Sequence, residues 1–206
     1  YDLVAATLDD LPFDIEIHES ADPAADASAG RKGRMHVAVV ADYGCVDCYE
    51  VDGEGRVYEV HGDAPLGIQY GLTHLLELWG FRFFHPFQTV TPAQLDPLDD
   101  HPELGMVYEP EMERRGLHLH TLHPIEGLWG VWVADGDALQ RGQQIVQWTI
   151  RNRGNHLQWV ALDDIVTYPS VVDDWSALTT DLNAHAHARG LTTGVGIQLF
   201  GSANLQ

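Results

Sequence analysis

The sequence predicts an α/β protein: a small α+β domain over residues 1–110, then the first three β/α units of a (β/α)8 barrel over residues 111–206. Three observations carry this. Between Arg114 and Ser202, short apolar strands alternate with longer amphipathic stretches, as parallel strands joined by crossover helices do. Polar residues gather at the C-terminal end of each of those strands, the rim on which barrels keep their chemistry. Residues 87–110 hold Pro92, Pro97, Pro102 and Pro110 and little periodicity, so they read as a linker.

The elements of the first half follow in order. Phe13-Asp14-Ile15-Glu16-Ile17-His18 alternates apolar and polar residues, the mark of a half-buried strand. Residues 20–33, rich in Ala, Asp, Ser and Gly, form a surface loop. Residues 35–41 make a second, more buried strand. Tyr49-Glu50-Val51 and Val57-Tyr58-Glu59-Val60 flank Asp52-Gly53-Glu54-Gly55, which predicts a β-hairpin. Asp63 is placed to cap the next helix, with Pro65 in its first turn. Ile68, Leu72, Leu75, Leu76 and Trp79 form one apolar stripe along it, and Gly80 stops it. Phe81 to Pro86 then reads as a short edge segment.

The second half opens on Arg114-Arg115-Gly116-Leu117-His118-Leu119-His120-Thr121-Leu122-His123-Pro124. Leu117 and Leu119 face one way, His118 and His120 the other, and Pro124 ends the ladder. A helix follows from Asp137 to Arg153, with Leu139, Val146 and Ile150 in register and Gly154 as its stop. Residues 155–162 form a second strand ending in Asp163-Asp164. A helix over about 173–189 precedes a third strand, 191–200. No Gly-rich phosphate loop follows any of these strands, and Gly194 and Gly196 lie inside the third. That favours the barrel over a flavodoxin-like nucleotide sheet.

Composition narrows the function. With 206 residues and 45% hydrophobic content the chain can bury one sizeable core or two small ones. A formal net charge of −20 repels phosphate backbones, so no nucleic-acid partner is expected. No apolar run approaches the ~20 residues of a membrane span. The chain begins at Tyr1 without a signal-like leader, so a processed protein or an excerpt of a longer one is expected. Cys45 and Cys48 supply half of a zinc site at most. Strand-like residues after them do not suit a redox helix, which leaves two free thiols or a local disulfide.

Tyr58 to Pro86 resembles the small α+β domain that precedes the barrel in several glycoside hydrolases, the family 20 β-N-acetylhexosaminidases and the α-glucuronidases among them. The shared pattern is a strand, a short acidic turn, Gly67-x-x-Tyr70-Gly71 and an amphipathic helix. The Gly80-Phe81-Arg82-Phe83-Phe84-His85-Pro86 ending is closer to the glucuronidase-like branch. The second half resembles the start of the family 20 barrel. Arg115-Gly116 and His120 fall on its Arg-Gly-x-x-x-Asp, Asn155 to Asp164 on its second strand, and Val195 to Ser202 on its third. His120, Gln158, Val160, Gly196, Gln198 and Ser202 depart from the family's residues at those positions. The family's catalytic Asp-Glu pair would lie beyond Gln206.

The resemblance implies hydrolysis of O-glycosidic bonds, hexosaminidase- or glucuronidase-like, by carboxylates beyond residue 206 and with no metal or other cofactor. It implies a carbohydrate substrate, the remainder of the barrel as structural partner, and an extracellular or periplasmic location. By it Arg115 would hold sugar hydroxyls and a carboxylate of Asp163-Asp164 would support the catalytic groups. Arg115 could equally pair with Glu111 or Glu113. His120 and His123, near the strand end, and Gln198 on the third strand are further candidates for substrate contact. Trp129 and Trp132 offer aromatic faces for a sugar, or for closing a loop. His118 is expected to be a core histidine. His118-x-His120 also matches the opening of metal-dependent amidohydrolases, where two imidazoles hold zinc. A non-catalytic carbohydrate-binding protein is the third reading.

Overall fold

The computed structural model describes residues 36–41, 43–63, 65–119, 136–160 and 169–196. The expected strand at 13–18 and the loop at 20–33 lie outside the described residues. What is described falls into two compact units, divided after Arg82, Gln88 and Glu111.

The first unit is built on a four-stranded sheet in the order β1-β3-β2-β6. Its strands are β1 (His36–Val40), β2 (Tyr49–Glu54), β3 (Val57–Gly62) and β6 (Met106–Tyr108). β1 runs parallel to β3, while β2 is antiparallel to both β3 and β6. The β2–β3 hairpin turns at Gly55, whose φ of +64° suits a residue without a Cβ. Helix α1 (Leu66–Leu78) covers one face. Val51, Tyr58 and Val60 from the sheet meet Ile68, Leu72 and Leu75 from the helix in the core. Truncating one such side chain to Ala costs about 2–5 kcal/mol.

The Gly67-x-x-Tyr70-Gly71 spacing has a packing reason here. A Cβ on Gly71 would lie 2.5 Å from Cγ1 of Val60, so glycine lets helix and sheet close up. Tyr70 is fully buried and meets Tyr49 edge-on. The expected Asp63 cap is corrected: α1 begins after Pro65 with no capping side chain, and Asp63 instead gives its backbone N–H to the Cys48 carbonyl. Gly80, at φ +97°, ends the helix as expected. β1 is less buried than expected, with Val37 39% exposed, because among the described residues it is an edge strand.

Two strands lie within the stretch that reads as a linker. β5 (Gln88–Val90) pairs with β4 (Arg82–His85), and β6 completes the first sheet beside β2. Each is three residues long, too short to print a periodicity.

The second unit holds a three-stranded parallel sheet in the order β7-β8-β9. Its strands are β7 (Gly116–Leu119), β8 (His156–Val160) and β9 (Thr192–Gly196). Helices α2 (Ala138–Arg151) and α3 (Pro169–Ala188) form the crossovers and pack on each other. Leu119, Ile145, Val146, Ile150, Leu157, Leu178 and Leu182 are among its buried apolar residues. At the end of α2 the left-handed residue is Arg153 (φ +61°), and Gly154 returns its N–H to the Thr149 carbonyl. The short strip Phe83–Gln88 also belongs to this unit. The Phe83 carbonyl accepts the Trp148 indole N–H at 2.8 Å and the Asn152 amide at 3.3 Å, and the Arg151 guanidinium lies over its ring.

The fold class is thus mixed α and β, with three helices and several sheets among the described residues. The parallel β-α-β-α-β run predicted for the second half is present.

Candidate functional site

The parallel sheet has two unlike faces. Side chains alternate along a strand, and the register fixes which ones share a row. Leu117 aligns with Leu157 and Thr193, on the side where Leu157 is fully buried. On the other side, Gly116 aligns with His156 and Thr192, and His118 with Gln158 and Gly194. Parallel sheets ordinarily have both faces covered by apolar residues. Here the second face carries imidazole, amide and hydroxyl groups between glycines. His118 is exposed on it, which corrects the expected core histidine: the helices pack on the opposite side. His156 Nδ1 and Thr192 Oγ1 are 2.8 Å apart in the first row.

Glycines keep this face low. A Cβ on Gly194 would sit 3.5 Å from both the Gln158 and the His156 side chains. At Gly116 it would lie 1.9 Å from the His156 carbonyl, so no other residue fits beside β8. The surface offers hydrogen-bond donors and acceptors flanking small residues. That suits a polyhydroxylated ligand laid along the strands.

Arg115 stands at the N-terminal end of β7. Its Nε–H donates to the Arg153 carbonyl at 2.9 Å and its guanidinium also reaches the Met112 carbonyl at 2.6 Å. Its own carbonyl accepts the N–H groups of Asn155 and His156. His120, His123, Trp129, Asp163, Asp164 and Gln198 lie outside the described residues, so His118 and Arg115 are the sequence-predicted positions with a described place. His118 lies on β7 in the exposed polar row, and Arg115 lies one residue before that strand begins.

Two features escaped the sequence reading. Asn155 pins the start of the sheet: its Oδ1 accepts the Arg115 N–H at 2.8 Å and its Nδ2 donates to the Glu113 carbonyl at 2.7 Å. An asparagine just before a strand was the available signal. The second lies in the first unit. The Tyr108 hydroxyl donates to Oε2 of Glu103 at 2.8 Å, and the same oxygen lies 3.1 Å from Nε2 of the buried His74. The Tyr108 bond is the main reason the Glu103 carboxyl sits below its usual range, burial opposing and His74 and His101 adding to it. His74 and Glu103 are 29 apart in sequence, so no local spacing announces them.

No protein-family model and no curated protein matches the chain. Among solved structures, a GH138 enzyme targeting pectin rhamnogalacturonan II is similar, at 16% identity and a TM-score of 0.48. The likeness covers 79% of this chain and 25% of that one, so the chain spans a quarter of that enzyme's length. A superposition at this level assigns neither family nor activity. No helix among the described residues is long and apolar enough to cross a membrane.

Proposed function

We propose that the chain is the N-terminal portion of a carbohydrate-active enzyme that hydrolyses O-glycosidic bonds, hexosaminidase- or glucuronidase-like. Residues 1–110 form its leading α+β domain and residues 111–206 the start of its (β/α)8 barrel. The observation that carries the reading is the polar face of β7–β8–β9, which holds no carboxylate among the described residues and sets His118, Gln158 and Gly194 in one row. Imidazole, amide and hydroxyl donors and acceptors suit sugar hydroxyls, and the resemblance of Tyr58 to Pro86 to glycosidase leading domains points the same way.

In this reading Arg115, His120, His123, Trp129 and Gln198 contact substrate, Trp129 by stacking on a sugar's C–H face. Asp163 and Asp164 support the chemistry. The two carboxylates that protonate the leaving group and attack or activate water come from strands beyond Gln206. No cofactor takes part. The test is a screen of the full-length protein against aryl glycosides and aryl uronides, read by aryl release. Failure on every substrate, together with no sugar binding by calorimetry, would sink the reading.

The exposure of His118 also favours a second reading, a zinc hydrolase using His118 and His120. Metal analysis separates the two. Stoichiometric zinc that survives dialysis and is lost in His118→Ala would replace the glycosidase reading.

A further inference from the structure

Residues 45–48 form a small closed ring where the start of β2 meets the start of α1. A disulfide between Cys45 and Cys48 closes it, with Cα atoms 5.6 Å apart, inside the range that disulfides span. Within the ring Asp47 holds a left-handed φ of +61°, which a non-glycine residue adopts at a cost. Cys48 is fully buried, while Cys45 keeps part of its surface in solvent.

The ring is docked. The Cys48 carbonyl accepts the Asp63 N–H at 3.2 Å, and a Cβ on Gly67 would lie 2.3 Å from that same oxygen. The ring therefore bears on the first turn of α1. The next residue, Tyr49, opens β2 and stacks on Tyr108 with ring centres 5.0 Å apart. It also meets His74 edge-on at 5.6 Å. The disulfide is thus joined directly, through Tyr49, to the Tyr108–Glu103–His74 cluster.

We propose that the Cys45–Cys48 disulfide is a redox-sensitive latch, whose reduction by a dithiol frees the ring and loosens the start of β2, the entry to α1 and the Tyr49 stack. A thiolate of the dithiol attacks Sγ of Cys45, the less buried of the two cysteines. The S–S bond breaks, and Cys48 leaves as a thiolate and takes up a proton. The second thiol of the reductant then attacks the mixed disulfide. Cys45 is released as a thiol and the reductant departs as its own disulfide, two electrons having passed to the protein. The ring spans a sequence separation of only 3, so it restrains the unfolded chain little. Its effect is local: it holds one turn against one helix.

The test is hydrogen exchange followed by mass spectrometry on the full chain, with and without dithiothreitol. Reduction should speed exchange roughly tenfold or more at Asp63 and across residues 43–54, and leave β7–β9 unchanged. Cys45→Ser without reductant should match the reduced wild type and ignore dithiothreitol. Three results overturn the proposal: equal exchange in oxidised and reduced wild type, a dithiothreitol response that persists in Cys45→Ser, or two alkylatable thiols in protein never exposed to reductant. If the variant does not fold, the wild-type comparison and the thiol count decide.

Discussion

The two sheets differ in what they leave uncovered. In the first unit the face away from α1 aligns Glu50 with His61 and Asp52 with Glu59, and Glu54 lies on the same side. These are solvated carboxylates with local partners: Tyr43 donates to Glu50, and His61 lies 3.3 Å from Glu59. In the second unit the face away from the helices carries, among the described residues, imidazole, amide and hydroxyl groups between glycines. An antiparallel sheet with one charged face is ordinary, because water completes its hydrogen bonds. A parallel sheet with such a polar face is not ordinary, because both faces are usually apolar and packed. The contrast is why the proposed reading rests on the His118–Gln158 row rather than on the larger number of carboxylates on β2 and β3.

The comparison can be broken at its cores first. Tyr58→Ala removes a fully buried ring whose hydroxyl also accepts the Leu98 N–H at 2.7 Å. It should cost about 3–5 kcal/mol by denaturant unfolding, with lost exchange protection concentrated in β1, β2, β3 and α1. Leu157→Ala should cost about 2–5 kcal/mol, with the loss concentrated in β7, β8 and β9. Uniform loss across both sheets in either variant would contradict two separate cores.

Acid should then separate the units. Burial, and secondarily the Arg189 charge, push the His185 imidazole in α3 from the usual 6.5 down to about 4. Between those values the unfolded chain holds more protons than the folded one, so stability rises with pH. The second unit should therefore weaken as pH falls through that window, and His185→Asn should flatten the slope in pH-dependent unfolding. Glu103 acts lower on the scale. Its folded value lies below the ordinary 4.5, so its contribution is present above that pH and lost as acid protonates the folded carboxylate. Glu103→Gln should remove this acid limb from the first unit and cost about 1 kcal/mol at neutral pH. The smallest effect on stability belongs to His118→Ala, within about 0.5 kcal/mol because the side chain is exposed. On the proposed reading the same change lowers kcat/KM on the aryl sugar. Unchanged kinetics would remove His118 from the site.

Much of the framework was legible because its signals are local. The α1 stripe, the hairpin around Gly55 and the alternation of strand and helix after Arg114 each lie within one window of sequence. Asp63 looks like a helix cap, but α1 starts only after Pro65, two residues beyond it, and no side chain caps it. The other places that misled are those where a distant partner decides. Met106–Tyr108 looks like linker, but an open edge of β2 recruits it as a strand. His118 looks like core because it sits between leucines, yet the helices lie on the leucine side. The Glu103–His74 pair needed the fold to bring together two segments that have nothing in common as sequence. For the candidate site, the strand and the residue types could be read in advance, while the row that joins His118 to Gln158 and Gly194 required the register.

The strip Phe83–Gln88 sits in the middle of the first unit's residues and serves the second. No single cut in the gene therefore yields both halves intact. An expression fragment opening at Met112 would leave the Trp148 indole and the Asn152 amide without the Phe83 carbonyl, and Arg151 without its aromatic lid. Dissection of this protein has to carry that hexapeptide along, or return it in trans as a synthetic peptide.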